Sequence, residues 1–483
     1  MYKLKLFLEN FLVYGMGGII SKVIPLIMVP IITRLMPDSS YYGISDLSNT
    51  VVQFGSAIAI MGMYDAMYRM FFEIEDEQYK KRVCSTALAF TMMASLAVFL
   101  LMVALKDVIA QFFFSDRQYA YIVYLSAMAT LVGATNSIIS APTRMQNKRK
   151  IFLITNTVSP LVSYGVAIPL LLSGYYTVAL PLAAIISGVT MEAAFGILNH
   201  RWFSLHNFDF TILKKLLVIG CPLLPNFLIY WIFNSSDKVM ITNLIGVDAA
   251  GIYSVGAKLG HASQLIYTAF AGGWQYFAFS TMKEKNQVES NSRVYEYLGV
   301  ISFAAGALVY AVSFLIYRVL FTEEYLAGYI VAPYLFLAPL LQMLYQIGNN
   351  QFLVIKKTWP GMFILSSGAI VNIILNLVLI PRIGIEGAAI ATLTGYIVVD
   401  IVDIIVLQRC GLMKPSINFL CAIIVEFFYI VLWRMFFSNR LLIGIIGCMG
   451  VWVIMAVIYR ADLMNFLAMV GSALKMRRKS NDL

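Results

Sequence analysis

Charge is scarce in this chain. Only 12% of its 483 residues are Asp, Glu, Lys or Arg, and 60% are hydrophobic, whereas a soluble domain carries about 25% charged residues. Half the usual charge leaves too little polar surface to face water, which excludes a soluble globular protein. Histidine is scarcer still: three in the whole chain leave little room for a metal centre or a His-based triad. The five cysteines (Cys84, Cys221, Cys410, Cys421 and Cys448) are odd in number, scattered and mostly within apolar runs. They form neither a disulfide framework nor a metal-ligand spacing. No phosphate-cradling glycine loop and no nucleophile constellation is present, so neither an enzyme nor a bound cofactor is expected. A net charge of +10 would suit nucleic acid, but its distribution along the chain explains it as membrane topology.

What is abundant is apolar sequence in runs of about 20 residues, the length that crosses a bilayer as a helix. Spans are expected near 10–35, 42–66, 83–105, 119–143, 151–173, 176–199, 216–246, 249–282, 297–321, 328–355, 359–381, 386–408, 416–437 and 441–460. Lys3 and Lys5 precede the first run as in a signal peptide, but no small-residue cleavage site follows, which predicts an uncleaved helix. With the N-terminus inside, 24 of the 35 basic residues fall on cytoplasmic segments and 7 on outer ones. Lys22, Lys238 and Lys258 lie within spans, and Arg460 ends the last. That asymmetry follows the positive-inside rule and places both termini in the cytoplasm. The outer connections are too short for an external catalytic domain.

The spans repeat. Gly43-Ile44 recurs as Gly251-Ile252 and Lys148-Arg149 as Lys356-Lys357, both 208 residues on, and Gly174 recurs as Gly384 after 210. Each match lies six spans from its partner, so the reading is an all-α polytopic membrane protein with about 14 transmembrane helices: two six-helix lobes in parallel orientation, related by a pseudo-twofold along the membrane normal, plus a C-terminal helix pair. The expected divisions are an N-terminal lobe (1–199), an interfacial linker rich in aromatics (200–215), a C-terminal lobe (216–410), and spans 13 and 14 with a basic tail (411–483). Pro25 and Pro30 in the first span are matched by Pro222 and Pro225 in the seventh. A bent first helix in each lobe offers a hinge, although packing alone also accommodates proline.

Intramembrane charge is costly, roughly 2.5–3.5 kcal/mol per residue near the bilayer centre, and so it marks function. Lys22, Lys238 and Lys258 share a central to outer depth, His261 follows Lys258 by three residues on one helix face, and Asp237 adjoins Lys238. These four basic residues are the candidates for binding an anionic substrate. Against that stands a bland alternative, an Asp237–Lys258 ion pair within one lobe. Asp46, just below the outer surface, and Glu426, about 15 Å into span 13 by helical rise with Arg434 two turns on, are further coupling or charge-pair candidates beside Asp237. Asp65, Arg69 and Glu73, and likewise Asp400, Asp403 and Glu192, read as charges near the cytoplasmic ends of spans.

Three segments carry a resemblance: TRLMPDSSYYG (Thr33–Gly43), SSDKVMITNLIGVDAAGIYSVGAKLG (Ser235–Gly260) and NLVLIPRIGIEGAAIATLTGY (Asn376–Tyr396). They resemble signature segments of oligosaccharide flippases, the Wzx-like polysaccharide exporters, within the superfamily that also holds MATE multidrug antiporters and lipid II flippases. The resemblance implies a MATE-like fold and movement of a polyprenyl-diphosphate-linked oligosaccharide from the inner to the outer leaflet by alternating access, for capsule, exopolysaccharide or O-antigen synthesis. It implies as partners the lipid-linked oligosaccharide, membrane lipids, glycosyltransferases and a polymerase. It also puts intramembrane charge at Asp237, Lys238 and Lys258. A cation-coupled drug antiporter or a lipid II flippase is the alternative within the superfamily, and a non-transporting scaffold the alternative outside it. Helix-borne lysines suit a diphosphate better than a cationic drug.

Overall fold

In a computed structural model the described residues are 21–268, 270, 274, 286–355, 357 and 359–465. They are helical, with no strand among them. A helix over 21–35 (α1) leads to α2 (Ser39–Ile60), α3 (Met63–Phe71), α4 (Glu77–Ala104), α5 (Lys106–Phe114), α6 (Ala120–Met145), α7 (Arg149–Leu172) and α8 (Ala179–Asn199). Then follow α9 (Phe210–Gly220), α10 (Leu224–Leu244) and α11 (Val247–Gly260), and after residue 286 come α12 (Gln287–Leu320), α13 (Val331–Val354), α14 (Trp359–Ile383), α15 (Ile385–Arg409), α16 (Ile417–Leu432) and α17 (Leu441–Ile458).

Eleven of the described helical stretches are long and apolar enough to cross a membrane; a count of fourteen is not reached. The three expected spans outside that number have separate reasons. Those at 10–35 and 249–282 run into residues beyond the described ones, as do Lys356 and the basic tail. The span at 42–66 is α2 and α3, whose long member is diluted by Asp46, Asn49 and Gln53. A helix that lines a polar cavity gives up the uniform apolarity by which spans are recognised.

One group of helices packs α2, α4, α6, α7 and α8 together, and another packs α10, α11, α13, α14 and α15; α2 joins them by lying against α10 and α11. The helices α16 and α17 rest on α12. The linker does not lie free: Ser204 N donates to Ser85 Oγ at 3.0 Å and Asp209 N to Thr86 Oγ1 at 3.1 Å, and Ile212 and Leu216 of α9 are buried with Met67 and Ala87.

The proline expectation divides. At Pro222 the helix is interrupted by a 3₁₀ turn, Cys221–Leu223, and Pro225 sits in the first turn of α10, where its missing N–H costs nothing. At Pro25 and Pro30 the helix runs on without a break. The repeated glycines are required by the backbone: Gly174 and Gly384 have φ of +86° and +64°, which side chains with a Cβ avoid.

Candidate functional site

The site is built where α2 crosses α11. Gly43 and Gly251, the residues matched at a spacing of 208, face one another there. A methyl on Gly43 would stand 2.6 Å from the Val247 carbonyl oxygen, and one on Gly251 would collide with the Ser39 carbonyl. Two glycines thus let the backbones meet, and that approach sets which side chains come together one and two turns further on.

Asp46, one turn past Gly43, is buried and projects from α2 at the crossing. Its Oδ2 lies 2.5 Å from Lys238 Nζ of α10, and its Oδ1 lies 3.3 Å from Lys258 Nζ of α11. The Lys238 side chain is 10% exposed and that of Lys258 is 41% exposed. One carboxylate therefore ties two lysines of the second helix group to the first, and Lys258 keeps much of its surface open to a cavity of about 430 Å³.

Lys22, Lys238, Lys258 and His261 all line that cavity, together with Asn49, Gln53, Asn234, Gln264 and Gln342. Lys22 reaches it from α1, its Nζ donating to Thr268 Oγ1 at 3.2 Å. Among the described residues, three ammonium groups meet one carboxylate, that of Asp46, a formal charge of +2. In a low-dielectric bundle an uncompensated positive charge of that size stands ready for a dianion.

The Asp237–Lys258 pair expected as the bland alternative is not formed. Adjacent residues on a helix point about 100° apart, and because Lys238 takes the cavity side, Asp237 turns to the other helices. There its carboxylate accepts from Tyr253 Oη and Thr392 Oγ1, both at 2.5 Å, and from Asn376 Nδ2 at 2.9 Å. Three neutral donors from α11, α15 and α14 hold it, in place of a lysine.

Glu426 does not pair with Arg434. Arg434 makes a bidentate bond to Glu386 of α15, its Nη2 at 2.9 Å from Oε2 and its Nε at 2.5 Å from Oε1. Arg434 stands in a π turn, Trp433–Phe437, after α16, about 12 Å of helical rise from Glu426, too far for a direct ion pair. Glu426 instead lies buried beside Gly306 of α12 and has no hydrogen-bond partner among the described residues. Asp400 and Asp403, in the last turns of α15 toward Arg409, are buried as well, again without a hydrogen-bond partner among the described residues.

Sequence reasoning passed over the neutral half of the site. Asn49 and Gln53 stand three and seven residues after Asp46, and Asn234 stands four before Lys238, spacings that put each on the face of the charge already singled out. Amides at helical spacing from an intramembrane charge were the signal.

Residues 31–329 match the sequence profile of the family described as polysaccharide biosynthesis protein. An uncharacterized membrane protein, MJ1068, of Methanocaldococcus jannaschii is 27% identical over 207 residues, which is 42% of this chain and 41% of that protein, so the matched part spans less than half of the relative. Among solved structures, the lipid II flippase MurJ in an inward closed conformation superposes with a TM-score of 0.72 at 16% identity, covering 94% of this chain and 100% of that one. An inward-facing multidrug resistance MATE family transporter of the MOP superfamily gives 0.58 at 15% identity, covering 81% and 97%. At such identities the shared property is the fold.

Proposed function

This chain belongs to the polysaccharide biosynthesis protein family, and from that membership we propose that it is a flippase moving polyprenyl-diphosphate-linked oligosaccharide from the inner to the outer leaflet of a bacterial plasma membrane. The observation that carries the reading is the cavity lined by Lys22, Lys238 and Lys258 with a formal charge of +2. A diphosphate diester carries two negative charges, and three ammonium groups that share the one carboxylate of Asp46 can neutralise it through charge-assisted hydrogen bonds. A cavity built for cationic drugs would have the opposite sign, which sets the antiporter reading aside.

The mechanism follows from Asp46. In the structure Asp46 occupies Lys238 and Lys258 and thereby fastens α2 to α10 and α11. A diphosphate entering the cavity competes with Asp46 for the same two ammonium groups. As it takes them, the bond between the two helix groups is exchanged for bonds to the ligand, and the glycine crossing is free to part. The polar head then passes between the groups while the polyprenyl chain stays in lipid. The charge asymmetry of the loops makes the Gly43–Gly251 end the outer one and puts both termini in the cytoplasm. Glycosyltransferases that build the lipid-linked unit and a polymerase that consumes it are the partners of this reaction.

The test is translocation in proteoliposomes of a labelled polyprenyl-diphosphate sugar, scored by its accessibility to an external lectin. Wild-type protein should expose the sugar, and a Lys22→Ala, Lys258→Ala protein of equal insertion should not. Equal exposure by both proteins would sink the proposal.

A further inference from the structure

The lysine cavity does not end at its lysines. Asn49 and Lys258 also line a second space of about 230 Å³, and Pro25, Ser163, Tyr164 and Ala184 carry that space into a third of about 510 Å³ between α1, α6, α7 and α8. This third space lies within the size range of small-molecule sites, about 300–1,000 Å³. Its walls are made from helical faces of unusual composition. On α7, Thr155, Ser159 and Ser163 recur every four residues, with Asn156 beside them, and on α6 Asn136 and Ser140 do the same.

Some of these groups are engaged, Ser159 Oγ with Ser187 Oγ of α8 at 3.1 Å and Thr155 and Ser140 with carbonyls of their own helices, but two amides keep accepting capacity. Asn136 Oδ1 is buried with no hydrogen-bond partner among the described residues. Asn156 spends one amide hydrogen on the Phe152 carbonyl at 2.8 Å, which leaves its oxygen to accept. Phe152, Tyr164 and Phe195 add flat apolar faces. No carboxylate lines the space among the described residues, and its lining cation, Arg144, gives one N–H to Tyr64 Oη at 3.2 Å and lies over the ring of Phe152, keeping its charge. With a guanidinium and no carboxylate, the lining does not suit an organic cation. It suits a polyhydroxylated ligand, which needs many neutral donors and acceptors and a few apolar faces.

We propose that this space is a glycan subsite: the sugars attached to the diphosphate lie between α6, α7 and α8 while the diphosphate sits among the lysines. The proposal rests on the diphosphate occupying the lysine cavity, and it adds that the first helix group reads the sugar and the second the phosphate.

Binding of short-chain prenyl diphosphates to the purified full chain in nanodiscs tests it. The probes are the diphosphate capped as its methyl ester (the bare diphosphate, with the same two charges as the substrate diester) and its conjugates with glucose, N-acetylglucosamine and galacturonic acid. Wild-type protein should bind at least one conjugate about tenfold more tightly than the bare diphosphate. The Asn136→Ala, Asn156→Ala protein and the cavity-filling Ala184→Leu protein should each lose that gain and bind the bare diphosphate as wild type does. The subsite is refuted if no conjugate exceeds the bare diphosphate, if the gain survives in both variants, or if the variants weaken bare and conjugated probes alike. Lys258→Ala, which should weaken all four probes together, reports separately on the lysine cavity.

Discussion

Asp46 Oδ2 and Lys238 Nζ lie 2.5 Å apart across the seam between α2 and α10, and both side chains are almost entirely buried. Breaking such a pair from one side leaves an uncompensated buried charge, which costs about 3–5 kcal/mol. Asp46→Asn is expected to lower the thermal midpoint of the detergent-solubilised protein by several degrees, and added prenyl diphosphate should restore part of it by supplying the missing anion. A midpoint unmoved by the substitution would show that the pair does not hold the seam.

The two lysines should separate by function. Lys238 is held within the seam, whereas Lys258 keeps 41% of its side chain open. Lys258→Ala should therefore cost ligand affinity: loss of one charge-assisted hydrogen bond, about 1.5–3 kcal/mol, is roughly a 10- to 150-fold weaker Kd, with the thermal midpoint little changed. Lys238→Ala should lower both the affinity and the midpoint, because Asp46 then loses its nearer counter-ion. Calorimetric titration with a short-chain prenyl diphosphate beside a melting curve distinguishes the two. Identical behaviour of the two variants would contradict the assignment.

How far these residues were legible from the chain depends on what each one needed. Lys22, Lys238, Lys258 and His261 announced themselves because charge in an apolar run has few innocent explanations, and they do line one cavity. The glycines at Gly43, Gly251, Gly174 and Gly384 were legible because each answers to a close approach or a positive φ that only glycine meets freely. Partnership was not legible. Whether Asp237 or Asp46 meets the lysines is decided by the rotation of α10 and by a contact between segments about 200 residues apart, and adjacency in sequence favoured the wrong carboxylate. The partner of Arg434 was not legible for a related reason, since Glu386 lies 48 residues away in sequence.

The glycine crossing should be intolerant of a single methyl. On Gly251 it would meet the Ser39 carbonyl, which is backbone and cannot rotate away. Gly251→Ala is expected to force α2 and α11 apart, at a cost of about 1–3 kcal/mol as for other overpacked contacts. Spin labels at Asp38→Cys and Asp248→Cys should then report a longer distance than in the Gly251 parent. An unchanged distance distribution would show that the crossing yields elsewhere.

Orientation is open to chemical labelling. In a cysteine-free variant, single cysteines at Gln118 or Asn439, both exposed, should react with an impermeant thiol reagent applied to intact cells. Cysteines at Asn147 or Asn286, also exposed, should react only after permeabilisation. The reverse pattern would invert the direction of transport inferred from the basic loops.

The last expectation concerns pH at the Gly43 end. Asp38 caps α2, accepting from Ser40 N at 2.7 Å, and these hydrogen bonds hold its carboxyl below the ordinary range. Asp248, in the first turn of α11, is pushed the other way, first by partial burial and then by the Asp38 carboxylate, with a further contribution from Glu324. Glu324 is itself bonded to the Ser39 amide, so three carboxyl groups converge where α2 meets α11. When Asp248 is protonated it donates to Asp38 and joins the two helices; when it ionises, like charges oppose them. The raised value belongs to the joined state, and in a parted state Asp248 would return to the ordinary value of about 3.9. By linkage the contact is fully favoured below that value and is weakened as pH rises through the raised one. Hydrogen–deuterium exchange of the segment 38–44 should therefore quicken as pH increases across the window just above the ordinary carboxylate range, beyond the intrinsic base catalysis seen in an unstructured control peptide. Asp248→Asn, neutral throughout, should flatten that excess and keep exchange slow. If the variant and the wild type show the same pH profile, Asp248 does not govern closure of this end.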